Sequence, residues 1–250
     1  MVLENHRMSN TFVFFHVGTD IQQPQMLVDS IRITNKDANI VFCSDSSTPD
    51  IEKVTSRVNV AGDSQNLMSF RLKAFIEANV ESPALYVDTD MLFLRTLRPS
   101  EILGEKKIVM CKRSFNLDGA FIGNFRGLDF MEYDKKPLGM VYPYVACSTI
   151  TESFRVWRDL YDILLDLDDK FKVWYGDQEA LKKYAEILPS ESFGVFEEAV
   201  YGCLPDEKYY LPQASILHFK GAQRKPIMKV FHKQMLEFVN KKNSESFSKG

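Results

Sequence analysis

Asp88 and Asp90 are the residues whose types and spacing first suggest chemistry. They end the run Ala84-Leu85-Tyr86-Val87-Asp88-Thr89-Asp90, and a second apolar run, Met91 to Leu94, follows. Like charges this close repel and resist desolvation, so a pair of carboxylates after an apolar strand calls for a reason. In extended chain, residues i and i+2 share a face, so both acids can point the same way. Two convergent carboxylates at a strand end suit a hard divalent cation. They are equally a pair of turn-capping Asp residues, which are common in loops.

Three other segments carry reactive types. Ile216-Leu217-His218-Phe219-Lys220-Gly221 delivers an imidazole and then a glycine turn, and Arg224-Lys225-Pro226 follows. A lone His is usually structural, but one followed by three cations and a glycine suits a phosphate pocket. Gly176-Asp177-Gln178 stands at a helix start, where Asp177 is most simply an N-cap. Arg71 sits among apolar neighbours on a helix, either snorkelling or reaching into a cleft.

These residues need elements to position them. Ala84 to Val87 is too short and too β-rich for a helix and reads as a buried strand. Thr11 to Val17 is a first strand, with a helix starting near Pro24, an allowed first-turn residue. Asn39 to Cys43 and Val58 to Val60 are further strands. Met68, Leu72, Phe75 and Ile76 give a helical stripe across 65–80. This β-α-β-β-α-β order predicts a parallel α/β sheet, which binds ligands at its carboxyl edge. Ile108 to Cys111 and Val141 to Ile150 read as strands. Ser114 to Lys136 is rich in Gly, Asn and Asp and reads as a long active-site loop. A helix over 152–167, N-capped by Thr151, buries Phe154, Trp157, Tyr161 and Leu164. A terminal helix over 227–239 ends the ordered chain.

The 250 residues, 45% hydrophobic and 12% aromatic, suffice for one large core. One domain over 11–239 is expected, between a disordered N-terminus (1–10) and a polar tail (240–250). The formal net charge is -3, and the sequence pI near 5.9 supplies no basic field for nucleic acid. Cys43, Cys111, Cys147 and Cys203 form no CxxC pair and read as core thiols in a reducing compartment. No signal peptide or bilayer-spanning apolar stretch is evident, so a cytoplasmic setting is expected. Lys229, Lys233, Lys241 and Lys242 on the terminal helix leave contact with an anionic membrane as a remote option.

Taken together, these motifs resemble glycosyltransferase family 8, the glycogenin and bacterial galactosyltransferase type. Ser69-Phe70-Arg71-Leu72-Lys73 is similar to the family helix whose basic residue contacts the donor. Leu85 to Asp90 resembles its metal-binding DxD strand, and Gly176-Asp177-Gln178 its GDQ turn near the transferred sugar. His218-Phe219-Lys220-Gly221 through Lys225-Pro226 resembles its HxxG…KP segment. The likeness runs from about Thr11 to Pro226. It implies a single-domain GT-A fold, a Rossmann-like mixed sheet flanked by helices with the DxD at a strand end.

The resemblance implies Mn²⁺, or Mg²⁺, held by Asp88, Asp90 and His218. It places Arg71, Asp88, Thr89, Asp90, Gly221, Arg224 and Lys225 around a UDP-sugar donor, and Asp177, Gln178 and Lys225 in catalysis. The acceptor is then a glycan, lipid or protein hydroxyl, and configuration is retained; an inverting enzyme would need a base such as Asp118 or Asp177. The family Lys stands six positions after the His, where this chain has Arg224, so that role is split between Arg224 and Lys225. The family's sugar-reading Asn-Ser-Gly strand has no clean match; Phe115 to Gly119 and Tyr144 to Ser148 are the nearest segments. A haloacid-dehalogenase-type phosphohydrolase also carries DxD, but it wants Thr or Val at Leu92 and Asp at Leu181. A nucleotidyltransferase wants a Gly-rich, Arg-containing loop where Val17-Gly18-Thr19-Asp20 stands. A non-catalytic nucleotide-sugar or glycan binder of the same fold is the remaining alternative.

Overall fold

The computed structural model describes residues 10–247, so the expected disorder of 1–10 falls almost wholly outside the described residues. In chain order the strands are β1 (Thr11–Phe15), β2 (Asn39–Ser44), β3 (Ser56–Asn59), β4 (Ala84–Val87), β5 (Met91–Phe93), β6 (Ile108–Lys112), β7 (Asn124–Phe125), β8 (Leu128–Asp129), β9 (Tyr144–Thr151), β10 (Phe193–Glu197) and β11 (Ile216–His218). The helices are α1 (Gln22–Thr34), α2 (Leu67–Glu77), α3 (Pro99–Leu103), α4 (Leu138–Val141), α5 (Phe154–Leu165), α6 (Asp169–Val173), α7 (Gly176–Ile187), α8 (Glu198–Tyr201) and α9 (Lys225–Phe247).

A seven-stranded sheet in the order β10-β6-β9-β4-β1-β2-β3 forms the centre. β3, β2, β1 and β4 are parallel, as the βα alternation predicts. The mixed sheet that the family resemblance implies comes from β9, which lies antiparallel between β4 and β6. Both faces are covered, which is why β4 is apolar throughout rather than alternating. Ala84 and Tyr86 join one core with Phe75, Trp157 and Leu181, from α2, α5 and α7. Leu85 and Val87 join the other with Leu27, Ile31 and Leu103, from α1 and α3. Phe75, Tyr86 and Trp157 meet with ring centroids 4.7–4.9 Å apart, tilted or edge-on as aromatic quadrupoles prefer.

Several local expectations need correction. Thr151 is the last residue of β9, paired to Ala84 and Ile108, so it cannot cap the next helix; Ser153 holds that place. The strand read from Val141 starts at Tyr144, because Leu138–Val141 is a helical turn that ends before Pro143. The 114–136 loop contains the β7–β8 hairpin. α9 runs on past Val239 through the expected polar tail to Phe247. All four cysteines are buried and free, and among the described residues no helix is long and apolar enough to cross a membrane.

Candidate active site

The carboxyl end of β4 meets a second, smaller sheet. β5 turns back from Asp90 and pairs antiparallel with β11, with Met91 opposite His218. The Phe219 amide donates to the Asp90 carbonyl at 2.8 Å, and the His218 amide to Cys203 O at 2.8 Å. These backbone bonds set the imidazole beside the acids despite a long separation in sequence. His218 Nε2 lies 3.3 Å from Asp90 Oδ1 and 3.9 Å from Asp88 Oδ2. One donor atom from each of the three lies within 4.8 Å of the others.

Asp88 is fixed from two directions. Its amide donates to Cys147 O at 2.9 Å, and its carboxylate meets Arg71 Nη2 at 2.8 Å. Arg71 also reaches Asp177 Oδ2 through Nη1 at 2.9 Å and donates to Ala146 O at 2.8 Å. It does not snorkel: one guanidinium spans the DxD strand and the start of α7. The acceptor at Ala146 exists because β9 is irregular there. Its register with β6 jumps from Met110–Thr149 to Cys111–Val145, so 146–148 have no partner in β6 and the Ala146 carbonyl is left to accept from Arg71.

The electrostatics follow from this crowding. Burial lifts the Asp88 carboxyl above its ordinary value, with Arg71 pulling it down and Asp90 repelling. Burial also opposes charge on Asp90, but His218 and Lys225 hold it low. Burial would discharge His218; Cys147 and Asp90 outweigh it and hold the imidazolium well above its ordinary value, so a cation at Nε2 would have to displace that proton. Two carboxylates and Nε2 of a buried imidazole make a mixed N/O donor set. That set fits a divalent ion of the Mn²⁺ type better than an all-oxygen site would. His218 Nδ1 has no hydrogen-bond partner.

Asp177 is not the N-cap. Tyr175 holds that place with φ 63, in the left-handed region, and α7 starts at Gly176. A Cβ on Gly176 would come within 2.1 Å of Phe171 O and 2.4 Å of Leu164 Cδ1, so the position admits no side chain. Asp177 is thereby free to accept from Arg71 and from the Gln178 amide, the latter at 2.7 Å. Gln178 Oε1 accepts from Arg113 Nη2 at 3.1 Å, and Arg113 Nε donates to Tyr142 O at 2.8 Å.

These groups line a cavity of about 760 Å³. Arg71, Asp88, Thr89, Asp90, Asp177, Gln178, His218, Gly221 and Lys225 all face it. Gly221 turns at φ +86, a left-handed conformation suited to glycine. Arg224 does not line the cavity: its guanidinium forks onto Asp206, with both contacts at 2.6 Å. Lys225 reaches Gln23 Oε1 at 3.4 Å on the cavity wall. Of the two segments nearest the family's sugar-reading strand, Val145, Ala146 and Cys147 line the cavity and Phe115–Gly119 do not. Asp118 is exposed and outside it.

Sequence reasoning missed Arg113, Arg126, Trp174 and Tyr175, which also line the cavity. Two signals were present: Trp174-Tyr175 directly precedes the GDQ turn, and Arg126-Gly127 is a two-residue hairpin loop between Phe125 and Leu128.

No protein-family model and no curated protein matches the sequence. Solved structures do match. The glycosyltransferase GlyE of Streptococcus pneumoniae TIGR4 superposes with a TM-score of 0.60 at 14% identity, over 94% of this chain and 64% of that one. A glycosyltransferase involved in glycosylation of the major capsid of PBCV-1 superposes at 0.57 with 10% identity, over 89% of this chain and 99% of that one. At such identities the likeness defines a fold, a GT-A-like α/β architecture with a DxD-type pair at a strand end. This chain spans less than two thirds of GlyE.

Proposed function

We propose that the protein is a metal-dependent glycosyltransferase of the family 8 type, moving a sugar from a UDP-sugar to a hydroxyl acceptor with retention. The observation that carries this reading is the meeting of Asp88, Asp90 and His218, from opposite parts of the chain, in a cavity that also holds Asp177, Gln178 and Lys225. Family resemblance supplies UDP and retention.

Asp88, Asp90 and His218 would hold Mn²⁺, which when bound neutralises charge on the departing diphosphate as a Lewis acid. The chain's own residues do the rest. Lys225 adds a fixed cation for the same oxygens, a preorganised charge that needs no rearrangement during reaction. Arg224, occupied by Asp206, is set aside for that role. Arg71 ties Asp88 to Asp177, so the donor's two ends are registered through one rigid group. Asp177 and Gln178 present oxygens and an amide to sugar hydroxyls. Phe15 at the end of β1, with His16 and Val17 after it, walls the cavity where a nucleoside would pack. The acceptor is a glycan, lipid or protein hydroxyl.

The test has two stages. In a thermal-shift panel of UDP-, GDP-, ADP- and CMP-sugars, only the UDP series raises Tm, and only with Mn²⁺. The protein then releases UDP slowly from that donor. Asp90→Ala cuts this turnover by about 10³-fold, the worth of several kcal/mol of transition-state stabilisation. Lys225→Ala cuts it by about 10²-fold, and Arg224→Ala leaves it within about threefold. Full activity in Asp90→Ala sinks the metal model, and donor binding without hydrolysis points to a non-catalytic binder.

A further inference from the structure

The charges lining the cavity are unevenly matched. Asp88, Asp90 and Asp177 face Arg71 and, on the reading proposed above, a divalent ion. Lys220 is paired to the buried Glu198 at 2.9 Å. Two guanidiniums beside the GDQ turn have no such partner. Arg113 is only 7% exposed, yet its hydrogen bonds go to two neutral oxygens, Tyr142 O and Gln178 Oε1. Arg126 makes no ion pair among the described residues; its neighbours are rings, with Cζ 3.9 Å from the Trp174 centroid and 5.5 Å from Phe125. The buried Glu198 carboxylate acts on Arg113 electrostatically but forms no ion pair with it, and a buried or ring-stacked cation whose direct contacts are all neutral can still take an anion.

The backbone makes the same point independently. Arg126 has φ 54 and Gly127 φ 77, the type I′ pattern of a two-residue hairpin. The first position of that turn favours Asn, Asp or Gly, and an Arg there is strained. Tyr175, also left-handed, packs on Phe125 at 5.4 Å and stacks on Tyr142 at 5.2 Å. So two strained non-glycine residues lie side by side and face the same cavity. Strain concentrated in this way marks a ligand clamp. Trp174 and Tyr175 offer the ring faces on which sugars pack, and both guanidiniums act electrostatically on the Tyr175 phenol.

We infer that Arg113, Arg126, Trp174 and Tyr175 form a subsite for a negatively charged sugar, one bearing a carboxylate or a phosphate beside the GDQ turn. Arg126 supplies the fork that selects the anion, with Trp174 holding its plane. Arg113 supplies the buried charge and positions Gln178. The anionic sugar is either the acceptor or the sugar being transferred. The inference rests on the glycosyltransferase reading for the identity of the neighbouring site, and the experiment separates the two.

The intact protein is titrated calorimetrically. UDP with Mn²⁺ is bound first and serves as the check on the parent reading. Glucuronate, glucose 6-phosphate and glucose are then added as acceptor-side probes; in a parallel arm, UDP-glucuronate is compared with UDP-glucose. In one arm the anionic member binds about tenfold tighter than its neutral counterpart, the scale of one charge-assisted bidentate contact. Arg126→Gln removes that preference and Arg126→Lys keeps part of it. If UDP binds with Mn²⁺ but both arms are indifferent to charge, or the preference survives in Arg126→Gln, this inference is wrong and the parent reading stands. If UDP does not bind with Mn²⁺, the parent reading fails and takes this one with it.

Discussion

The two sides of the cavity are built by opposite means. The Asp88–Asp90–His218 side hangs on regular elements: β4 within the large sheet, and β5 paired to β11, with backbone bonds at each step. The Arg113–Arg126–Tyr175 side hangs on a bulged strand, a two-residue hairpin and a left-handed N-cap. The first arrangement fixes the three candidate ligand atoms by backbone pairing on both strands. The second places aromatic and cationic groups on short irregular segments that can be exchanged without disturbing the sheet.

The comparison breaks first at Arg71, which joins the two sides. Removing it leaves Asp88 and Asp177 facing each other without their shared cation, and Ala146 O without its donor. Breaking a buried pair costs about 3–5 kcal/mol. The lower end applies because Asp88 keeps 29% of its side-chain exposure. Arg71→Ala should therefore lose about 3 kcal/mol in urea unfolding at pH 7, and Arg71→Lys should recover only part, since an ammonium cannot reproduce the planar fork. If Arg71→Ala unfolds like the parent chain, the two sides are not mechanically joined.

Glu198 is the corresponding anchor on the other side. It accepts from the Ser114 and Phe115 amides at 3.0 and 3.2 Å and pairs with Lys220, so it braces the chain directly after Arg113. Burial works against its charge, but Lys220 and the Ser114 amide win, and its carboxyl lies below the ordinary value of 4.5. The unfolded chain therefore binds the proton more readily than the folded one. The stability that Glu198 contributes is complete above about pH 4.5 and is lost as pH falls through the folded value. Glu198→Gln should lose about 1–3 kcal/mol near neutrality. It should also flatten the acid limb of a Tm-against-pH curve; an unchanged limb would show that Glu198 is not the group responsible.

How far each side could be read in the sequence follows from the same contrast. Ala84 to Asp90 was legible because an apolar strand followed by i, i+2 acids is a local pattern. His218 was legible because an apolar run delivers it. Their meeting was not local and rested on family likeness; the β5–β11 pairing that brings it about leaves no mark in composition. The antiparallel direction of β9 is not written in its residues, because strand direction depends on how the chain returns. Asp177 was misread as a cap because Tyr175 adopts a conformation that its residue type disfavours. Arg126 was missed because the type I′ signal is written as Asn-Gly, and this hairpin keeps Gly127 but carries Arg where the Asn would stand. Strain hides from propensity, since it is what propensity argues against.

Arg126 therefore gives the smallest effect and the sharpest distinction. Replacing Arg71, between the two sides, destabilises because it breaks two ion pairs at once. Arg126→Gly removes a left-handed non-glycine from a turn that prefers glycine, and it gives up only ring contacts at an exposed tip. The relief of about 1 kcal/mol is set against two exposed cation–π contacts of roughly 0.5 kcal/mol each. Arg126→Gly should thus leave stability in urea unfolding unchanged within about 0.5 kcal/mol. A larger loss of stability would mean that the guanidinium stack on Trp174 holds the hairpin in place, and that Arg126 is kept for the fold rather than for a ligand.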